Sequence, residues 1–286
     1  LSGFVMNYAY NDRWKEMTTA SFFKRRLIRL HPMLIMGAFI GLICFLIGGS
    51  EQWNGTKIPL YISIITFLLT CFMIPALPGS FNEVRGNGEL FPLNGPMWSL
   101  FFEYIGNILY AIFIRRLSTK LLTFVVILLG ILHSIFTIGN LSGYGNLGVG
   151  WTFDTINFFG GMLRMLFPFT LGMLISRRFK AIKLPYPFLI CSILLIATLS
   201  MPYLSAFKAI NFNGIYESFC ITVIFPLILI IGASSQEKSK LSQTLGELSY
   251  PLYIIHYPIM YLFYQWLIKT KQYTLSETYP VAILVV

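Results

Sequence analysis

Apolar residues run in long blocks along this chain, and polar residues are confined to short intervals between them. Blocks long enough to cross a bilayer, about 20 residues each, recur over the whole length. They predict about eight complete spans, at roughly 31–49, 60–78, 97–114, 121–139, 156–176, 187–204, 214–233 and 249–268. Partial spans are expected at roughly 1–10 and from 279 onward. Open sheet edges cannot face lipid, and the dyad alternation of a transmembrane barrel is missing, so the spans should be helices. The expected fold class is all-α, a polytopic transmembrane helical bundle forming a single domain over residues 1–286. No internal repeat or low-complexity tract interrupts it. The sequence opens inside the apolar motif LSGFVMNYAY and closes inside the apolar run Val281–Val286, which gives the expectation of a piece cut within a span at each end.

Composition strengthens the membrane reading. Of the residues, 56% are hydrophobic and only 11% charged, where a soluble domain carries about 25% charged residues. The net charge of +10 would suit a nucleic-acid partner, but its placement does not. Lys and Arg cluster in short intervals between apolar blocks: Lys24, Arg25, Arg26 and Arg29; Arg115, Arg116 and Lys120; Arg177, Arg178, Lys180 and Lys183. Topology determinants are placed in this way, at the cytoplasmic ends of spans. No basic stripe with interleaved exposed aromatics stands apart from the spans. The expected partner is therefore membrane lipid and not nucleic acid. Cys44, Cys71, Cys191 and Cys220 all lie in apolar blocks with neither metal nor disulfide spacing, so no metal is expected.

Two features of the pattern bear on topology. Three predicted spans separate the basic intervals at 11–30 and 115–120, which would put them on opposite sides, against the positive-inside rule. Either one segment between 31 and 114 fails to cross, or one interval breaks the rule. The second feature is the long stretch from Gly79 to Met97, rich in Gly and Pro. A re-entrant segment over a site fits it, and so does a plain surface loop. Between Ser21 and Leu30, SFFKRRLIRL reads as a helix along the interface, with Phe22, Phe23 and Leu27 toward lipid and Arg25 and Arg29 on another side. Pro32 is expected to break it from the next span.

Ionisable residues inside spans cost a few kcal/mol unless paired or hydrated, so they mark candidate chemistry. Here they are Glu103, His133, Arg164, Glu217 and His256. Any one of them can be satisfied by a neighbouring helix; five together point to a polar interior cavity. In GPMWSLFFEYIGNILY, Ser99, Glu103 and Asn107 fall four residues apart and share one helical face. Glu103 could orient an acceptor hydroxyl or pair with a cation such as Arg164; polar glue between helices is the bland alternative. In LGELSYPLYIIHYPIMYLF, Ser249, Tyr253 and His256 share a face, and His256 suits either a general base or a structural role. His133 and His31 read as structural and interfacial. No Ser-His-Asp spacing, P-loop, zinc pattern or GxGxxG is present.

Four segments in order, LSGF at Leu1–Phe4, FFKRRLIRLHP at Phe22–Pro32, MWSLFFEYIGNILY at Met97–Tyr110 and LGELSYPLYIIHYPI at Leu245–Ile259, resemble the integral membrane acyltransferase 3 family. RMLFPFTLGMLISRR at Arg164–Arg178 resembles its pattern of an Arg and an apolar run ending in Gly. The resemblance implies a membrane O-acyltransferase moving an acyl group, commonly acetyl, from acyl-CoA to a hydroxyl of a carbohydrate such as a cell-surface polysaccharide. It implies residence in a bacterial cytoplasmic membrane. It also implies a catalytic His in a span ahead of LSGF, which would lie before Leu1; His31, His133 and His256 do not match that position. Glu103 and Trp98 match the family's W-S-L-x-x-E pattern and, with Ser99 and Arg164, are expected to line the site, Glu103 as the catalytic member. Tyr250 and His256 match S-Y-x-L-Y-x-x-H, and Arg25, Arg26 and Arg29 are expected to hold the phosphates of coenzyme A. The rival readings are a transporter of a lipid-linked sugar or small solute, for which paired discontinuous repeats would be the sign, and a non-catalytic member of the same fold.

Overall fold

The computed structural model describes residues 1–204, 211–235, 240–271 and 274. Among the described residues it is built from helices, and the only β-type pairings are two isolated antiparallel bridges, Glu51 with Lys57 and Glu89 with Thr152. The α-helices are α1 (Ser2–Tyr10), α2 (Thr19–Ile47), α3 (Leu60–Cys71), α4 (Met97–Ile112), α5 (Thr119–Ile138), α6 (Thr155–Arg178), α7 (Pro187–Leu199), α8 (Phe212–Phe219), α9 (Phe225–Ser234) and α10 (Lys240–Thr270). The segment expected from 279 onward lies outside the described residues.

Among the described residues, five helical stretches are long and apolar enough to cross a membrane: α2, α4 with the turn that follows it to Arg116, α5, α6, and α8 with α9 through residues 212–234. The span expected at 60–78 forms a helix of only 12 residues, and that at 187–204 one of 13. Twelve residues rise about 18 Å, well short of a hydrocarbon core of about 30 Å. The apolar run past Cys71 leaves the helix because Met73 takes a left-handed φ of 56° and Pro75 follows. The span expected at 249–268 falls within the 31 residues of α10. Its length suffices, but with its Tyr, Gln, Glu and His residues it is not among the helices apolar enough to cross.

The chain forms two compact units. One comprises Leu1–Phe22, Phe102–Gly150 and Thr155–Ser242, and the other Phe23–Phe101, Trp151–Asp154 and Gln243–Val286. In the first unit α1 lies along α6 at backbone contact. A Cβ on Gly3 would collide with the Phe169 carbonyl, and one on Gly172 would stand 2.9 Å from the Phe4 nitrogen. The glycines of two separate motifs thus permit the same close approach, the small-residue packing typical of helices in lipid. Asn7 adds a polar tie to Ser176 at 3.1 Å. Ser118 caps α5 by accepting from the Leu121 amide at 3.2 Å, and Asn211 caps α8 by accepting from Gly214 at 3.1 Å.

The same unit bears on the topological conflict. Trp14 donates to the Tyr110 hydroxyl at 3.1 Å, and the Arg115 guanidinium sits 3.9 Å over the Trp14 ring. Arg177 donates to the carbonyls of Leu117 at 2.7 Å and Arg115 at 3.3 Å. The basic intervals around 13, 115 and 177 therefore share one end. Between residues 31 and 96, α3 is a helix too short to cross, which agrees with this placement.

Two expectations for residues 21–32 are corrected. Phe22 does not face lipid: it is fully buried against Tyr10, Trp14 and Tyr110, with ring centroids 5.1 to 5.7 Å away. Helix α2 is also continuous through Pro32. A proline inside a helix removes one backbone hydrogen bond and crowds one carbonyl, which a long helix packed in protein can absorb without breaking.

In the second unit α2 and α10 run parallel. The Tyr250 hydroxyl donates to the Leu30 carbonyl at 2.9 Å, and Lys269 donates to the Gly48 carbonyl at 2.7 Å. Lys269 and Lys57 both pair with Glu51, at 2.5 and 3.0 Å, and hold its carboxyl below the usual carboxylate range.

Candidate functional site

In the first unit, Glu103 on α4 accepts a hydrogen bond from Ser2 Oγ at 3.1 Å. The carboxylate is half-buried and sits at the start of α1, so the serine of LSGF and the acid of the third motif are in direct contact. Asn107, one turn further along α4, is buried, and neither atom of its side-chain amide has a hydrogen-bond partner. An unsatisfied buried amide costs about 1–3 kcal/mol, so its presence beside Glu103 calls for a reason other than packing.

Arg164 on α6 and Glu217 on α8 line one cavity in this unit, of about 460 Å³. Arg164 donates to the Val149 carbonyl at 3.1 Å, and Glu217 accepts from the Leu147 amide at 2.6 Å. His133 does not line it; the imidazole is fully buried against the Phe167 ring at 5.3 Å, with no hydrogen-bond partner for either nitrogen.

In the second unit, the Tyr253 hydroxyl lies against the Ser99 hydroxyl and donates to the Pro96 carbonyl at 3.1 Å. The His256 ring is 5.9 Å from that of Tyr253, and its Nδ1 lies 3.1 Å from the Leu252 carbonyl of its own helix. Trp98 is half-buried at the first turn of α4. The third and fourth motifs therefore meet at Ser99 and Tyr253, and the second and fourth at Leu30 and Tyr250. Of the three arginines of the basic stretch, Arg25 and Arg29 are exposed whereas Arg26 is only 4% exposed.

Segments far apart in sequence thus meet in pairs through their polar side chains. The model of the acyltransferase 3 family, described as an acyltransferase domain, matches residues 1–286. The chain belongs to the acyltransferase 3 family. No curated protein and no solved structure matches it. As a member of this family, with five helical stretches among the described residues long and apolar enough to cross a bilayer, it is an integral membrane acyltransferase.

Sequence reasoning missed one cluster of this acyltransferase altogether. In the second unit, Arg85 is 1% exposed, and its guanidinium lies over the rings of Phe45, Trp53 and Tyr261 at 4.8, 4.8 and 4.6 Å. Its Nε donates to the Pro92 carbonyl at 3.1 Å, while one terminal nitrogen has no hydrogen-bond partner. Glu89 accepts from the Tyr261 hydroxyl at 2.6 Å and from Asn87 at 2.8 Å. Burial pushes the Glu89 carboxyl above the usual carboxylate range and lowers Arg85 from its ordinary value. Glu83 gathers three backbone amides, of Gly86, Asn87 and Gly88, at 2.7, 3.0 and 3.1 Å. The Gly- and Pro-rich stretch before α4 is therefore neither a plain surface loop nor unstructured. It is a folded, largely buried element fastened by its own charges. The one available signal was three charged residues in seven positions, Glu83, Arg85 and Glu89, in a stretch that carries no other charge.

Proposed function

We propose that the protein transfers an acyl group, acetyl in the first instance, from acyl-CoA to a hydroxyl of a carbohydrate such as a cell-surface polysaccharide. The observation that carries this reading is the contact between Ser2 and Glu103, which sets a carboxylate at the meeting point of two family motifs. In the reaction the thioester carbon–sulfur bond breaks and an ester carbon–oxygen bond forms. The acceptor hydroxyl gives up its proton, and the thiolate of coenzyme A leaves and takes one up.

Glu103 is assigned to hold the acceptor hydroxyl by accepting its proton in a hydrogen bond, a role that strengthens as the oxygen attacks. Arg25 and Arg29, exposed at the start of α2, suit the phosphates of the donor; Arg26 supports that turn from within. Arg164 in the first unit, and Trp98, Ser99, Tyr250 and His256 in the second, are assigned as further substrate-contacting residues. None of His31, His133 and His256 is given the role of base. His256 sits within hydrogen-bonding distance of its own helix, and His133 is sealed against Phe167. The membrane is taken to be a bacterial cytoplasmic membrane, with the basic intervals on the cytoplasmic side.

The test is product chemistry. Membranes containing the full-length protein, given radiolabelled acetyl-CoA and an extract of surface polysaccharide, should yield labelled, alkali-labile ester on the glycan. Movement of unmodified sugar across the membrane, with no ester formed, would replace this reading by transport.

A further inference from the structure

The cavity between α6, α7 and α8 of the first unit has no role in the assignments above beyond the presence of Arg164 in its wall. Four observations set it apart. It holds two ionisable side chains within apolar helices, Arg164 and Glu217, and such residues face functional cavities far more often than lipid. Each holds the backbone of the 140–150 loop, Arg164 through the Val149 carbonyl and Glu217 through the Leu147 amide, so the rim is clamped from two helices. The wall at Cys220 and Ile221 belongs to a π-helical turn, Cys220–Ile224, which runs directly into Pro226; π turns within α-helices concentrate at functional sites. The remaining lining mixes aromatic and amide side chains, notably Tyr203, Tyr216 and Asn146, with aliphatic ones.

Charge decides the class of ligand. One Arg and one Glu leave the cavity without the excess of cations that a polyphosphate such as coenzyme A needs. Its position agrees. The cavity lies toward the end where α5 ends and α6 begins, its Arg164 about 20 Å along α6 from Arg177. Flat aromatic rings match the C–H faces of a sugar. Carboxylate, guanidinium and amide groups match its adjacent hydroxyls, each offering two hydrogen-bonding positions in fixed geometry. A volume of about 460 Å³ is within the range of small-molecule sites.

We propose that this cavity is a sugar-binding subsite for the acceptor glycan, separate from the reacting hydroxyl assigned to Glu103, and that it takes a neutral sugar. The inference builds on the acyl-transfer reading and adds the place and chemistry of a subsite for the acceptor. Tyr203 is the stacking surface, and Glu217 uses one oxygen for Leu147 and the other for a sugar hydroxyl.

The test uses the full-length protein in nanodiscs, with neutral di- and trisaccharides as probes and acetyl-CoA as donor. Saturation-transfer NMR reads sugar binding, and mass spectrometry reads the acylated product. Tyr203→Ala and Glu217→Gln should each raise the acceptor KM about tenfold and leave the donor KM unchanged. Glu217→Gln keeps an oxygen to accept from Leu147, so it carries the test if Tyr203→Ala fails to insert. Unchanged acceptor KM in both variants, or transfer by a wild-type protein that binds no neutral sugar, overturns the acceptor subsite. Sugar that binds in wild type and is lost in the variants, with no acyl product, keeps the cavity as a sugar site and overturns the acyl-transfer reading instead.

Discussion

Ser2 Oγ donates to Glu103 Oε1 across 3.1 Å, joining two motifs that lie 101 positions apart. A half-buried carboxylate beside a hydroxyl donor stays in one orientation, which is what a group that must meet an incoming acceptor requires. Glu103→Gln keeps the shape and removes the negative charge. It should lower acyl transfer by about 100-fold or more, the usual scale for losing a proton-accepting group, with membrane insertion intact by protease protection. Ser2→Ala should cost far less and act on turnover, not on donor KM. Wild-type turnover in Glu103→Gln would remove the residue from the site.

The contact of α1 with α6 rests on two glycines whose missing side chains face the other helix's backbone. Gly3→Ala or Gly172→Ala must push the helices apart, an overpacking cost of about 1–3 kcal/mol. A fall in the thermal unfolding midpoint of the solubilised protein is expected for each. Because both relieve the same contact, the double variant should lose less than the sum of the two single losses. Full additivity would mean that the glycines act at separate contacts.

Arg25 and Arg29 are exposed, whereas Arg26 of the same stretch is buried. Two kinds of effect should therefore separate within five residues. Arg25→Ala with Arg29→Ala should raise the KM for acyl-CoA, and the wild-type KM should itself climb with ionic strength as the phosphates are screened. Arg26→Ala should instead lower the yield of folded protein, since a buried cation is held by its surroundings. A topology assay with reporter fusions is needed alongside, because all three also anchor the chain. Equal donor KM values in the double variant and in wild type would exclude the phosphate role.

Much of this arrangement was visible in the sequence, for reasons that are local. Ser99, Glu103 and Asn107 repeat at helical spacing in an apolar context, so the polar stripe on α4 could be read from spacing alone. The ends of helices were read less well. An apolar window counts Phe72 to Ala76 as membrane, but Met73 adopts a left-handed backbone and the helix stops at Cys71. Phe22 was assigned to lipid because an amphipathic face does not reveal whether lipid or a neighbouring Trp14 and Tyr110 will cover it. The Arg85 cluster was invisible for a related reason. The tyrosine that binds Glu89 lies 172 positions away, and nothing local to either residue announces the other.

The Glu89 carboxyl gives that cluster a pH signature of definite sign. Burial raises its pKa above that of an ordinary glutamate, so over the interval between the two values the folded protein holds a proton that the unfolded chain has released. Stability is then greatest below the unfolded value, about 4.3, and falls as pH rises through the folded one. Glu51 behaves in the opposite sense. Lys269 and Lys57 hold its carboxyl below the usual range, so its contribution is present above about pH 4.3 and is lost as pH falls through its lowered value. The two can be separated by substitution. Glu89→Gln is neutral at every pH and still offers Tyr261 an acceptor oxygen, so it should flatten the fall in unfolding midpoint on the alkaline side of the glutamate range. Glu51→Gln should leave that fall in place and remove part of the loss on the acid side. If Glu89→Gln shows the wild-type alkaline slope, the buried carboxyl is already ionised in the folded protein and Arg85 is its counter-charge. In that case Arg85→Met should destabilise the wild type far more than it destabilises the Glu89→Gln background.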